Sequence, residues 1–248
     1  MMKKSLFGAV ILGAVFSINS LSFAEDTKAP PKWKTHVELS YVSTNGNTDT
    51  QTFSAKVESK KEGDINRYYV KAYGLYSKSN DQETANQWLL NGRWEKVLTS
   101  KMFAFVDGTY LADKFSGYDY RFSLGPGIGY DFIKSEKHEL KGLFSVLYYY
   151  DKFSEGTDSS DSYAAGKGEI NYRWHIRENL KFKEDANFVI SFNDTDKYFL
   201  NSETGIETKI NGNISLGVSY KIAYQNQLPA PDVKHTDTTF LTSLIIDF

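Results

Sequence analysis

Cysteine is absent from this chain of 248 residues. Its absence rules out disulfides, thiolate metal sites and a lipid-bearing N-terminal cysteine. It also sets aside the small secreted modules that cross-links hold together. Histidine is scarce, with four residues in all, which leaves little for imidazole catalysis or metal binding. There is no excess of positive charge: 29 Lys and Arg stand against 31 Asp and Glu. With no basic stripe to neutralise phosphates, nucleic acid is not an expected partner. Beyond residue 24, no apolar run approaches the roughly 20 residues a membrane helix needs.

Aromatic residues, by contrast, are plentiful. They make up 15% of a chain in which 24% of residues are charged, and the mean hydropathy is only −0.46. A water-soluble core does not explain so much tyrosine and phenylalanine beside so many charges. A barrel with a greasy outside and a wet inside explains both, because its average is polar.

The first residues set the compartment. Lys3 and Lys4 precede an apolar run from Leu6 to Phe16, and Ser22-Phe23-Ala24 places small residues where a signal peptidase reads. This is the layout of a secretory signal peptide cut after Ala24. The expected domain plan is therefore a cleaved signal over 1–24, a short periplasmic segment over 25–32 and a barrel over 33–248. Removing Lys3 and Lys4 leaves 27 bases against 31 acids, a net charge near −4.

Two-residue alternation recurs along the whole mature chain. In the clearest stretch, Tyr120, Phe122, Leu124, Pro126, Ile128, Tyr130 and Phe132 fall on one face. Asp119, Arg121, Ser123, Gly125, Gly127, Gly129 and Asp131 fall on the other. Successive side chains of a strand point to opposite faces, so one face is apolar and the other polar or glycine. Extending this reading predicts twelve strands: 33–42, 51–60, 65–77, 86–97, 102–112, 118–133, 139–151, 162–176, 180–192, 197–210, 214–224 and 236–248. The fold class is all-β, an antiparallel up-and-down transmembrane barrel.

Short connections (61–64, 99–101, 134–138, 177–179 and 211–213) alternate with longer polar ones (43–50, 78–85, 113–117, 151–161, 193–196 and 225–235). Short periplasmic turns opposite long extracellular loops would place both chain ends in the periplasm of an outer membrane. In that register Trp33, Trp94 and Trp174 fall at the periplasmic rim, and Tyr41, Tyr76, Tyr110 and Tyr224 at the outer rim. Two aromatic girdles are what membrane–water interfaces favour. A β-sandwich also alternates, but it would not sort one face by depth. Glu184 fits badly, since it shares the lipid face with Phe182 and Phe188; an interfacial position or a β-bulge would accommodate it.

The C-terminal region carries a family resemblance. Ser202-Glu203-Thr204-Gly205, Ala223-Tyr224, Pro229, Pro231, Lys234, Asp237-Thr238-Thr239 and the final Leu244-Ile245-Ile246-Asp247-Phe248 resemble the salt-induced outer-membrane proteins of the YdiY type. This family is a domain of unknown function, DUF481. Thr44-Asn45-Gly46-Asn47-Thr48, Asp113-Lys114-Phe115 and Gly125-Pro126-Gly127-Ile128-Gly129-Tyr130 agree with it. The resemblance implies an outer-membrane barrel and, by the family's name, a link to salt stress, and it brings no established activity or catalytic residues. Phe248, with Ile246 and Leu244 at two-residue steps before it, also resembles the signal read by barrel assembly machinery. That machinery and periplasmic chaperones are the expected partners in biogenesis. Lipid and lipopolysaccharide surround the finished barrel, which is expected to be a monomer.

The inward face carries the chemistry. Arg67, Lys71, Arg93, Arg121, Lys167, Arg173 and Lys221 are its candidate lumen-lining bases, with Asp107, Glu169, Glu203 and Glu207 among the acids. Charges of both signs are expected to pair, since unpaired charge in a narrow interior is costly. Inward Tyr69, Tyr73, Phe105, Tyr149 and Phe199 would fill part of the lumen. Gly125, Gly127 and Gly129 would permit bending or close packing. His235 with Asp237, both inward at the outer rim, is the best catalytic pair and a poor one, so no catalytic, cofactor or metal site is assigned. The acidic stretches around Asp151, Glu155, Asp158 and Asp161, and Asp194 with Asp196, lack the ligand spacing of a calcium loop. Two functions follow: a narrow passive channel for ions or small polar solutes, linked to osmotic or salt stress, or a plugged structural barrel whose outer loops bind partners.

Overall fold

A strand whose apolar side chains all point one way needs a partner edge along each side, and lipid offers none. Closing the sheet on itself removes every free edge. The structure, a computed structural model, shows this closure. It describes residues 31–44, 49–154, 160–229 and 233–248. The expected signal peptide and residues 25–30 of the expected periplasmic segment lie outside the described residues.

Twelve antiparallel strands follow one another around the wall: β1 Trp33–Thr44, β2 Thr50–Glu62, β3 Asn66–Ser79, β4 Gln82–Val97, β5 Met102–Asp113 and β6 Tyr118–Lys134. The second half comprises β7 His138–Phe153, β8 Ser160–Arg177, β9 Leu180–Ser191, β10 Tyr198–Asn211, β11 Ile214–Gln225 and β12 Thr236–Asp247. Each pairs with its sequence neighbours, and β12 returns to β1. All twelve predicted strands are present, with ends shifted by a few residues. The β2–β3, β4–β5, β6–β7, β8–β9 and β10–β11 turns and both ends of the strand set share one end of the barrel (the turn end); the loop end is opposite.

Three local features depart from the sequence reading. The connection expected over 78–85 is a two-residue turn, Asn80-Asp81, with φ of 48° and 62°. Successive positive φ angles make the hairpin turn whose twist matches the strands, and Asn and Asp are the side chains that best tolerate that region. The chain therefore needs no glycine there, and β4 starts earlier than expected. Second, β6 carries a bulge: Tyr118 lies opposite Phe153 and Tyr120 opposite Lys152, which leaves Asp119 between them. The extra residue resets the alternation. Tyr118 becomes buried in the interior, and Asp119, expected inside, is exposed. Third, the β9–β10 connection is longer than the predicted 193–196, spanning 192–197.

The glycines of β6 have a packing reason. A Cβ on Gly129 would sit 2.1 Å from the ring of Phe103, and one on Gly127 would sit 2.2 Å from the ring of Phe105. The far ends of two rings from β5 thus rest against bare backbone of β6. Outside, Leu124, Ile128, Phe132, Phe144, Phe188, Leu216 and Leu244 are exposed to the surroundings. Glu184 sits among them in regular pairing, opposite Tyr172 and Thr204, with no bulge at its position. Ser202 Oγ donates to its carboxylate at 2.7 Å, and Thr204 Oγ1 donates to the other oxygen. Glu184→Gln keeps an acceptor for one hydroxyl, presents an amide donor to the other, which can turn to accept it, and removes a charge from the outer wall. Unfolding in phospholipid vesicles should show unchanged stability or a gain of up to about 1 kcal/mol; a clear loss would contradict this account.

Candidate functional site: the lumen

Every odd-numbered residue of β3 to β12 within the regular ladders projects inward, and on β1 and β2 the even-numbered ones do. This parity brings the sequence-predicted charges together. Arg93 on β4 donates through Nε to Asp107 on β5 at 3.0 Å and through Nη2 to Glu169 on β8 at 3.1 Å. Lys167 completes that group at 2.9 Å from Glu169. Because β4 and β8 are not neighbours, the Arg93–Glu169 pair crosses the interior. It forms a strut.

A second strut crosses elsewhere. Lys183 on β9 reaches Glu38 on β1 at 3.0 Å, and Lys56 on β2 reaches Glu203 on β10 at 3.3 Å. Lys56 also touches Glu38 at 2.5 Å, and Lys183 touches Glu207 at 3.1 Å. Near the loop end, Arg121 lies between the rings of Tyr118 and Phe199, 4.0 and 4.1 Å from their centroids, and binds Asp151 at 2.8 Å. Lys197 closes that group on Asp151 and Asp161, at 3.0 and 2.8 Å. Sequence reasoning missed Glu38, Lys183 and Lys197 as organising residues; their inward parity was legible, but the strands they join across the barrel were not.

Between the struts lies an open lumen of about 1890 Å³. It is lined at the turn end by Lys34, Asp64, Lys134 and Asn213, and at the loop end by Thr84, Asp113, Phe115 and Asp237. One cavity thus reaches both rims. Of the predicted lumen residues, Arg67, Lys71, Arg93, Arg121, Lys167, Glu169, Arg173, Glu203 and Lys221 line it. Asp107 and Glu207 are corrections. Both face inward, but Asp107 is buried behind Arg93 and Glu207 beneath Lys181 and Lys183. Pairing covers the remaining walls: Arg67 with Glu95, Lys71 with Glu58, and Arg173 with Asp185.

Aromatic residues divide the same way. Tyr69, Tyr73, Tyr149 and Phe199 border the cavity, whereas Phe105 is buried with Phe103 and Leu143 behind the first strut. A further cluster, Leu147, Tyr149, Tyr163, Ala165, Val189 and Phe199, fills the loop-end side along β7 to β10. The wall formed by β3, β4 and β5 presents Leu75, Leu89 and Leu111 to the cavity. Their odd positions made this readable, and the charged ladder drew attention from it.

The outward aromatics sit where alternation puts them. Trp33, Trp94 and Trp174 are at the turn end, and Trp94 Nε1 donates to Asn66 at 3.1 Å. Tyr41, Tyr76, Tyr110 and Tyr224 are at the loop end, where Tyr110 stacks on Tyr120 and Tyr224 packs on Tyr198. On the outer face of β12, Leu244 lies opposite Leu216, Ile246 opposite Ile214, and Phe248 exchanges backbone hydrogen bonds with Thr35.

The His235–Asp237 pair does not form. His235 stacks on outward Tyr224 and donates Nδ1–H to the carbonyl of Gln225 at 2.8 Å, whereas Asp237 lines the lumen. His36, Glu38 and Glu207 approach one another closely enough to share a metal ion. The lysines on both glutamates supply the positive charge instead, and His36 bonds Asp247 at 2.7 Å. This is an ion-pair node. Among the acidic stretches, Asp151 and Asp161 are taken up by Lys197; Glu155 and Asp158 lie outside the described residues. Asp194 accepts from the Asp196 amide and from Gln227.

A closed twelve-stranded wall, apolar outside and ion-paired within, defines an outer-membrane β-barrel. The chain belongs to the family described as "Protein of unknown function, DUF481", which matches residues 37–248. It is 24% identical over 220 residues to the "Uncharacterized protein YdiY" of Escherichia coli (strain K12), covering 89% of this chain and 85% of that one. Among solved structures it is similar to the COG4313 outer membrane channel from Pseudomonas putida F1, with a TM-score of 0.54 at 8% identity, covering 90% of this chain and 97% of that one. It is also similar to the NanC porin, with a TM-score of 0.51 at 9% identity, covering 86% and 97%. At these identities the likeness is one of fold. These two neighbours are an outer-membrane channel and a porin.

Proposed function

We propose that the barrel is a narrow passive channel for ions and small polar solutes across the outer membrane, used in osmotic or salt adjustment. The observation that carries this reading is a cavity bordered by residues of both rims. Its walls hold bases and acids in alternation, so neither ion sign meets a uniform barrier; weak selectivity follows. In this reading the turn end and both termini face the periplasm, as short turns on barrels do. The signal over 1–24 directs export, the tryptophan and tyrosine rims hold the barrel at the two interfaces, and the last strand through Phe248 addresses it to the assembly machinery as a monomer.

The filled loop-end cluster favours a second reading, a closed structural barrel whose loops meet partners. Planar-bilayer recording separates the two. Purified mature protein should give discrete conductance steps that rise with salt concentration and show little preference between potassium and chloride. A silent bilayer containing folded protein would reject the channel and leave the structural barrel. No residues are assigned to catalysis.

A further inference from the structure

The seam between β1 and β12 is closed only in part. Thr35 and Phe248 exchange backbone hydrogen bonds at 3.0 and 2.8 Å, and the ladder continues from His36 opposite Asp247 to Ser40 opposite Ser243. Beyond Ser40, among the described residues, the stretch Tyr41–Thr44 is paired with β2 alone, and Thr236–Thr242 with β11 alone. All the other neighbouring strands pair over most of their length. Phe240 lies opposite Tyr220 and Thr238 opposite Ile222, below Tyr224 of the loop-end aromatic rim. With the loop end outward, as proposed above, the lower part of the parting, along Thr238–Thr242, lies in the outer leaflet. Bare strand edges facing hydrocarbon would leave backbone groups unsatisfied, a condition tolerated only where they meet protein or water.

Water reaches this place from inside. The lumen borders Asp237, Thr238 and Thr239, the part of β12 that has no β1 partner. On the outside, Tyr41 and Phe240 flank the parting and are 64% and 60% exposed. Further round the wall from the seam, Leu89 of β4 lies opposite Leu111 of β5, with Leu75 of β3 beside them toward the loop end. These are apolar side chains open to the cavity. Conducting ions gives no use for such a wall, whereas a solute with an apolar face does.

We propose that the parting is a lateral port through which small amphipathic molecules pass between the lumen and the outer leaflet. Their apolar part rests on the Leu75–Leu89–Leu111 wall, and their polar head stays near Gln87, Asp113 and Lys221. The proposal rests on the channel reading and extends it to a second class of solute and a second exit.

The cysteine-free chain makes the test direct. A bimane attached at Leu89→Cys reports on the wall in full-length mature protein reconstituted in vesicles. A doxyl-labelled stearate, which resides in the bilayer, should quench it, and so should aqueous iodide. Val42→Cys with Leu241→Cys, oxidised before labelling, continues the register of Ser40 and Ser243 and closes the port. Thr238→Trp fills the port without further thiols. In both closed forms the doxyl quenching should be lost while iodide quenching stays. The port is overturned if iodide quenches but the stearate never does, or if the stearate quenches open and closed forms alike. If iodide fails as well, it is the channel reading that falls.

Discussion

Arg93→Ala should destabilise the folded barrel by about 3–5 kcal/mol, because it strips the cation from two carboxylates at once. Asp107 is 1% exposed, and among the described residues the oxygen that receives Arg93 has only Asn91 as another side-chain donor, at 3.0 Å. Glu169 keeps Lys167 and borders the wet cavity, so most of the loss comes from Asp107. Tryptophan fluorescence during guanidinium unfolding in detergent micelles provides the measurement. The companion variant Arg93→Met with Asp107→Leu removes both charges and should recover most of the stability, since apolar replacement of a whole buried pair is often tolerated. Both variants lose the first strut and should conduct more in bilayers. A stable Arg93→Ala barrel would show that the strut is not what holds β4 to β8.

Gly125→Ala is expected to be comparably damaging, at roughly 3 kcal/mol, the upper end for forced overpacking. Its Cβ would stand 2.1 Å from the Val146 carbonyl oxygen and 2.9 Å from Leu147 Cα, and backbone cannot step aside as a side chain can. Gly129→Ala meets the far end of the Phe103 ring and should cost less. Gly92→Ala and Gly168→Ala meet nothing within 4 Å and serve as controls. The expected order of folding yield on refolding into micelles is Gly92 and Gly168 variants, then Gly129, then Gly125. If Gly125→Ala refolds like the controls, the close approach of β6 to β7 is not tight.

Alternation made the wall legible because lipid and water sort side chains residue by residue, and a closed sheet lets nothing escape the sorting. The number of strands, their order and the inward set from Arg67 to Lys221 followed from that parity. What failed was whatever changes parity or acts across the barrel. The extra residue at Asp119 turns Tyr118 inward, and no local signal in Tyr118-Asp119-Tyr120 announces it. The Asn80-Asp81 turn was readable from backbone tolerance, but the polar residues around it looked like a long loop. Depth inside the lumen was invisible: Asp107 and Arg93 read alike in sequence, although one is buried behind the other. The struts were illegible for a different reason, since Lys56 meets Glu203 across a chord that no strand periodicity encodes.

Those chords join residues far apart along the chain, such as Lys183 with Glu38 and Lys56 with Glu203. Neither pair can form while the sheet is an open ribbon, because β1 and β2 meet β9 and β10 only once the wall has come round. Contacts of such long sequence separation are slow to form. The interior charges therefore act as a latch that engages after insertion: a half-built barrel keeps them hydrated and remains free to reopen, whereas a completed one must break several bridges together before any hairpin can leave.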